Sequence, residues 1–272
     1  MYKTLILAGN STNAIVTLGA LQCLYDKKLL RNVKSFIGTS SGSILNLLLI
    51  IGYEPIDILI YICVEKVYQN IHVNPNMLFV GKSAMCFEPI KKSLETLIIE
   101  RVGYIPTMSS LKETFNKEMI ATTYNLTDDK REYLSPTSHP DLSVLHAIRM
   151  SCTFPFLFEP YKYEDKLYLD GGIVDNFPIE YEMDDENLSI GINTTMNYKR
   201  KYSYELGYLD LIYKIFHVFM STINDDKMKR AKNCDIIKID TDLNFFNFDS
   251  TNTELIDMFD KGYSICKLFI EN

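Results

Sequence analysis

The stretch that most restricts the fold runs from Val33 to Ile51. Val33–Ile37 is a short apolar run closed by Gly38, as expected of a strand buried on both faces. Ser43–Ile51 is apolar on almost every side. A helix with no polar face belongs in the middle of a fold rather than on its surface. Between the two lies Gly38-Thr39-Ser40-Ser41-Gly42, a G-x-S-x-G in a strand–turn–helix setting. In that setting the pattern reads as a nucleophile elbow. The glycines let strand and helix approach around a strained turn, and the turn lifts the central hydroxyl above the sheet, beside the positive end of the helix. Only Ser40 fits, because a frame centred on Ser41 puts Thr39 and Ser43 where the glycines belong. The pattern also arises by chance, so a plain Gly/Ser turn stands as the rival reading.

The rest of the chain alternates in the same manner. Thr4–Ala8, Ile120–Tyr124, Lys166–Leu169, Leu188–Ile192 and Asp235–Ile239 read as strands. Helical spacing of apolar residues marks Ala14–Leu30, Ile56–Tyr68, Pro89–Arg101, Leu142–Ser151, Glu205–Thr222 and Thr253–Phe269, the last with Thr251 or Ser250 near its cap. In Glu205–Thr222 one face collects Leu206, Leu209, Ile212, Tyr213, Phe216 and Phe219. Such alternation predicts βαβ units and an α/β fold, a central, mostly parallel sheet with helices on both faces. Neither a low-complexity linker nor an internal repeat divides the chain, so residues 1–272 are expected to form a single domain. A chain of this length buries a sizeable core without disulfides or metal.

Charge narrows the partners. Against 35 Asp and Glu stand 28 Lys and Arg, a net charge of −7 without basic clusters. Nucleic acid is therefore excluded as a main partner, since phosphate binding rests on Lys/Arg neutralisation. Electrostatic docking on anionic lipid is disfavoured too, while apolar contact with a membrane stays open. The six cysteines, Cys23, Cys63, Cys86, Cys152, Cys234 and Cys266, are scattered and form no CxxC pair, which favours buried reduced thiols over a disulfide framework or zinc. The N-terminal apolar run is too short for a signal peptide. The longest apolar stretch, Ile44–Val64, is broken by Gly52-Tyr53-Glu54-Pro55 and carries Asp57, so two buried helices are expected instead of a membrane span. The expected location is cytoplasmic, with peripheral contact to membranes.

A nucleophilic serine needs a base. Of the four histidines, only His217 lies late enough for a Ser…Asp…His order, and it sits within the amphipathic helix as a packed residue. His146 also reads as a packed helix residue, and His72 and His139 lie in loop-like sequence without a motif. An acid does stand out. Asp170-Gly171-Gly172 ends a strand, and two glycines free its backbone to reach a crowded site; a simple strand-end turn is the rival reading. Asp184-Asp185-Glu186 reads as a solvated loop rather than a calcium site. Leu243, Phe245, Phe246 and Phe248 read as a strand or loop closing the core rather than a lipid-gripping patch.

Three blocks in this order resemble the patatin-like phospholipase family. They are the elbow at Gly38–Gly42, the segment Ala147-Ile148-Arg149-Met150-Ser151-Cys152-Thr153-Phe154-Pro155-Phe156-Leu157-Phe158, and Leu167-Tyr168-Leu169-Asp170-Gly171-Gly172-Ile173-Val174-Asp175-Asn176-Phe177-Pro178. Ile120–Thr127 resembles the strand before the helix, so the likeness spans the chain. The resemblance implies a three-layer sandwich and a Ser–Asp dyad acting on a carboxylic ester of a phospholipid or acylglycerol, without metal or cofactor. Ser40 would attack the carbonyl and Asp170 would take its proton directly. A carboxylate with the ordinary pKa of about 3.9 is a feeble base at neutral pH, so burial has to raise it. Gly171 and Gly172 would let Asp170 approach Ser40, and Asn176 and Pro178 would brace the loop.

The loop after the first strand departs from the family pattern. Where a run of glycines and a basic residue are usual, this chain has Gly9-Asn10-Ser11-Thr12-Asn13. Backbone N–H groups of Gly9, Asn10 and Ser11 are the expected oxyanion donors, with Thr39 or Ser41 as helpers and the Ser11 or Asn13 side chain as a substitute donor. Losing one donor costs roughly 10²–10³ in rate. Two alternatives therefore stand beside the hydrolase: a catalytically impaired lipid-binding or interaction protein, and a transacylase on the same dyad.

Overall fold

The computed structural model describes residues 1–181, 188–196, 208–241 and 248–272. At its centre is β1 (Thr4–Leu7), buried at every residue. β2 (Ser35–Thr39) and β7 (Ser189–Met196) flank β1 in parallel, β8 (Cys234–Thr241) runs parallel beyond β7, and β3 (Glu118–Asn125) runs parallel to β2. Three antiparallel strands complete the sheet. β4 (Lys130–Leu134) and β6 (Lys166–Asp170) pair with β3, and β5 (Tyr161–Tyr163) pairs with β6. The expected mostly parallel α/β sheet is thus present. Of the antiparallel strands, β6 was read from the sequence, while β4 and β5 escaped it because Lys130-Arg131-Glu132-Tyr133-Leu134 is a polar edge strand and β5 has only three residues.

Side chains alternate across the sheet and supply two cores. Leu5, Leu7, Phe36, Ile190 and Ile192 join the larger one with α1 (Ala14–Asp26), α2 (Ser41–Ile50) and α9 (Asn252–Glu271). Ile6, Ala8, Ile37 and Ile120 face the other way, against Phe177, Ile179 and Met228 of α8 (Tyr208–Arg230). Helix, sheet and helix form three layers. α2 is buried at eight of its ten residues, which is what its lack of a polar face demands.

Several boundaries differ from the pattern, each for a local reason. α1 stops at Asp26 instead of Leu30, because Lys28 adopts a left-handed φ of 62°. α3 (Pro55–Val64) stops short of Tyr68, with Lys66 at φ 50°. α8 runs on to Arg230, and its buried side includes Met220, Asn224 and Lys227 whereas Phe219, placed on the apolar face, is 64% exposed. Residues 205–207 and the side chains of Leu209, Ile212 and Tyr213 lie outside the described residues. α4 (Glu88–Val102) and α6 (Val144–Ser151) match their sequence signals, while α5 (Met108–Phe115) was too short to show one. Thr251 caps α9, accepting from Glu254 N as Glu254 reaches back. α2 and α3 bend 115° apart, and among the described residues no single helix is long and apolar enough to cross a membrane. All six cysteines are free; Cys23, Cys152 and Cys266 are buried, Cys63 and Cys234 half-buried, and Cys86 exposed.

Candidate active site

Strand register brings Ser40 and Asp170 together. On β3, Thr122 pairs with Thr39 of β2 and with Tyr133 of β4; the next residue, Thr123, pairs with Asp170 of β6 and with Glu132 of β4. β4 therefore occupies one edge of β3, and β2 and β6 meet tip to tip on the other. Ser40 follows Thr39 at that meeting point.

The elbow has the strain its sequence implies. Ser40 sits at φ 53°, ψ −124°, a region that costs a non-glycine residue on the order of 1–3 kcal/mol. Neighbours over-determine it. Ser40 N–H donates to Ser151 Oγ at 2.8 Å, at the end of α6, and Ser40 O accepts from Ser43 N at 2.9 Å and Ser43 Oγ at 2.6 Å. Gly42 has no room for a Cβ, which would lie 2.5 Å from Leu7 O, so only glycine lets α2 start against β1. At Gly9 a Cβ would lie 3.1 Å from Ser40 Cβ and 2.7 Å from Asn176 Oδ1, which puts the loop after β1 beside the nucleophile. Gly38, Gly171 and Gly172 are hemmed in likewise, by Gly42, by Thr122, and by Asp170 with Asn176.

Asp170 is 1% exposed. Its N–H donates to Thr153 O at 2.8 Å, and its Oδ1 accepts the Gly172 N–H at 2.7 Å. Oδ2 is buried with no hydrogen-bond partner. Burial pushes the carboxyl up from 3.8 to about 7, against smaller opposing pulls from the Gly172 N–H and the Ser40 side chain. Desolvation wins because no cation among the described residues compensates the buried charge. The Cys152 thiol lies against Ser40 and Ser43; burial, and then the charge of Asp170, raise its pKa.

The loop after β1 is less open than its sequence implied. Gly9 N–H donates to Asn176 O at 3.1 Å, and Asn10 N–H donates to Ser41 Oγ at 2.9 Å. Asn10 is 2% exposed, its Nδ2 bonding Ala8 O at 3.2 Å. Asn13, where a basic residue was expected, is 1% exposed and points no charge at the site. Ser11, at φ 48°, lines the cavity with Gly9, whereas Asn10 and Asn13 do not. Thr39 Oγ1 is committed to Asp175 O at 2.9 Å.

Ser40, Asp170, Ser11, Ser41 and Asn176 stand at a cavity of about 170 Å³. Its walls are apolar: Ile15 and Leu18 of α1, Ile44, Leu45 and Leu48 of α2, and Leu97 of α4. Among the described residues no histidine lines it, and no group of three His, Cys, Asp or Glu is placed to hold a metal. His146 Nδ1 instead bonds Tyr161 Oη at 2.6 Å, and His139 Nδ1 bonds Ser138 Oγ at 2.9 Å. Asp184-Asp185-Glu186 and Leu243, Phe245 and Phe246 lie outside the described residues; Phe248 lines the cavity and meets Tyr68 edge-on at 5.8 Å. Two residues, Ser151 and Asp175, take positions that the sequence did not announce, and Asn176 stands where a bracing residue was expected. Ser151 holds the nucleophile's N–H, Asn176 joins the Gly9 loop to the Asp-Gly-Gly turn, and Asp175 anchors that turn from below. Ser151 and Asp175 lay inside the blocks that carry the resemblance, which was their only signal.

A strained serine elbow and a buried carboxyl at an apolar cavity on a mostly parallel sheet define the class, an α/β fold with a serine–carboxyl site. Comparison with known proteins fixes the family. The profile of the patatin-like phospholipase family matches residues 5–183, and the chain belongs to that family. It is similar to a protein of Invertebrate iridescent virus 6 named "Probable lipid hydrolase", 31% identical over 271 residues, covering 96% of this chain and 86% of the relative. An uncharacterized protein of Acanthamoeba polyphaga mimivirus is 28% identical over 194 residues, 70% of this chain and 64% of the relative. Among solved structures, VipD from Legionella pneumophila shares the fold with a TM-score of 0.56 at 16% identity, over 99% of this chain and 67% of VipD. ExoU, in complex with SpcU from Pseudomonas aeruginosa, does so at 0.58 and 15% identity over 99% of this chain; the chain spans 51% of ExoU.

Proposed function

We propose that this chain is a serine acyl hydrolase that cleaves a carboxylic ester in a phospholipid or acylglycerol through Ser40 and Asp170. Ser40 Oγ attacks the carbonyl carbon while its proton passes to Asp170; the alcohol leaves with that proton, and the acyl group stays on Ser40 as an ester. Water then attacks the acyl-enzyme with Asp170 again as base, releasing the fatty acid and restoring the serine. The observation that carries this reading is the carboxyl raised by burial to about 7 beside the strained serine. A base serves best when its pKa lies near the working pH. The Ser11 and Ser41 N–H groups are the oxyanion donors in this reading, because the Gly9 and Asn10 N–H groups already have acceptors. The apolar walls suit an acyl chain, and exposed Ile60, Val64, Phe79 and Val80, on segments beside the cavity-lining Tyr61, Ile62 and Ile71, suit contact with a lipid surface. The viral relative's name supports the same substrate class. Fatty acid release from phosphatidylcholine vesicles or mixed micelles tests it: the parent should release it and Ser40→Ala and Asp170→Asn should not. Equal release by parent and Ser40→Ala would refute the proposal.

The committed Gly9 and Asn10 N–H groups favour one second reading, lipid binding without turnover. A parent that binds fatty acid or lysolipid but releases no product, with binding unchanged in Asp170→Asn, would establish it.

A further inference from the structure

Behind the Asp-Gly-Gly turn lies a charged cluster that the proposed chemistry does not use. α7 (Gly172–Asp175) is a single turn that begins two residues after Asp170, and its last residue, Asp175, is fully buried. A buried carboxylate persists only where cations and donors surround it, and here they do. Oδ2 accepts from Arg131 Nη1 at 3.0 Å and from Tyr133 Oη at 2.5 Å, both on β4. Oδ1 is bonded to Lys227 Nζ of α8, itself 5% exposed. The main chain of Asp175 is engaged as well: its N–H donates to Gly171 O at 2.8 Å, and its carbonyl accepts Thr39 Oγ1 at 2.9 Å. One residue thus ties the turn carrying Asp170 to the edge strand β4, to the helix layer on the far side of the sheet, and to the residue directly before Ser40.

Those ties form one of two bridges between Ser40 and Asp170; the other runs through the end of α6, where Ser151 Oγ accepts the Ser40 N–H and Thr153 O accepts the Asp170 N–H. The two residues sit on separate strands that meet tip to tip beside β3, with no hydrogen-bonded ladder between β2 and β6. Asp170 Oδ2 is buried without a hydrogen-bond partner. The gap is bridged from below, through Thr39, Asp175 and the cluster that grips it.

We infer that Asp175, held by Lys227, Arg131 and Tyr133, is a positioning residue that sets the distance between nucleophile and base. The inference rests on the Ser40–Asp170 reading. It does not make Asp175 a catalytic residue, since Asp175 does not line the cavity.

The test separates position from mere stability. Removing one member of a buried ion pair leaves the other uncompensated and unfolds many proteins, whereas replacing both with neutral groups of like size is tolerated. The double variant Asp175→Asn with Lys227→Met therefore retains the fold, and Thr39→Val cuts only the link from β2 to the turn. Hydrolysis of a soluble p-nitrophenyl ester is measured for each, with thermal midpoints taken in parallel. For both variants we expect kcat to fall at least tenfold with KM unchanged, because the cavity wall is untouched while the reacting groups are misplaced. Parental kcat in either folded variant would overturn the inference, as would a loss carried by KM alone. Parent and Ser40→Ala are run alongside: a parent without Ser40-dependent turnover defeats the hydrolase reading, whereas an active parent with unaffected variants defeats only the role of Asp175.

Discussion

Replacing the proposed base should make the protein more stable at alkaline pH while abolishing turnover. Each pKa unit is worth about 1.36 kcal/mol, so a carboxyl held at about 7 instead of 3.8 costs the folded chain about 4 kcal/mol when it ionises. Below pH 3.8 Asp170 is protonated folded and unfolded, and the penalty is absent. As pH rises the unfolded chain gives up its proton first, and the stability is lost progressively until the folded carboxyl ionises near pH 7. Asn at this position is neutral throughout. It keeps an acceptor for the Gly172 N–H and puts an N–H₂ where the partnerless Oδ2 stood, at a pH-independent cost of roughly 1–3 kcal/mol if that donor finds no acceptor. The fixed cost cancels when pH values are compared. Urea unfolding of parent and Asp170→Asn at pH 4, 6 and 8 should therefore show the variant gaining about 4 kcal/mol on the parent between the lowest and highest pH. The other titrating groups are common to both proteins and drop out. A stability difference that stays constant from pH 4 to pH 8 would refute the buried, raised carboxyl. In the parent, kcat/KM for a soluble ester should rise with pH through a midpoint near 7.

Three further outcomes follow from particular contacts. Gly42→Ala places a methyl 2.5 Å from Leu7 O, a backbone atom that cannot swing away, so the variant should lose ester hydrolysis and unfold at lower urea than the parent. Leu48 lies seven residues along α2 from Ser41, about 10 Å down the cavity wall. Leu48→Trp should spare p-nitrophenyl acetate and cut hydrolysis of the dodecanoate at least tenfold; equal losses on both would show that the acyl chain does not run along α2. His217→Ala should keep parental turnover, because no histidine among the described residues lines the cavity, and a hundredfold loss would reinstate a histidine base.

What the sequence revealed, and what it withheld, follows from the range of the interactions involved. The elbow was legible because its requirements are local: a strand, two glycines without room for a side chain and a helix with no polar face are consecutive in the chain. Asp170 was legible only as a strand-end acid with two glycines after it, and the family resemblance gave it a role. Its approach to Ser40 depends on β2 and β6 sharing an edge of β3, a pairing across about 130 residues that no spacing encodes. The raised pKa was required by the proposed chemistry, but its cause, near-complete burial, belongs to packing. The loop after β1 holds contacts that the sequence could not show. The family resemblance pointed to the Gly9, Asn10 and Ser11 N–H groups as oxyanion donors, and Asn176 O and Ser41 Oγ, both distant in sequence, accept from the first two. Lys227 lies beyond Thr222, where the sequence pattern ended that helix, and only the fold shows it buried against Asp175. Polar β4 was missed because edge strands lack the apolar run that marks central ones.

Covalent capture of the nucleophile is the most direct trial of the Ser40–Asp170 mechanism. A fluorophosphonate probe, followed by peptide mass analysis, should modify the parent at Ser40 alone. Labelling should slow below pH 7, where Asp170 holds its proton, and should be absent in Ser40→Ala. Adduct formation that persists in Ser40→Ala, or a folded parent that takes up no probe, would contradict it.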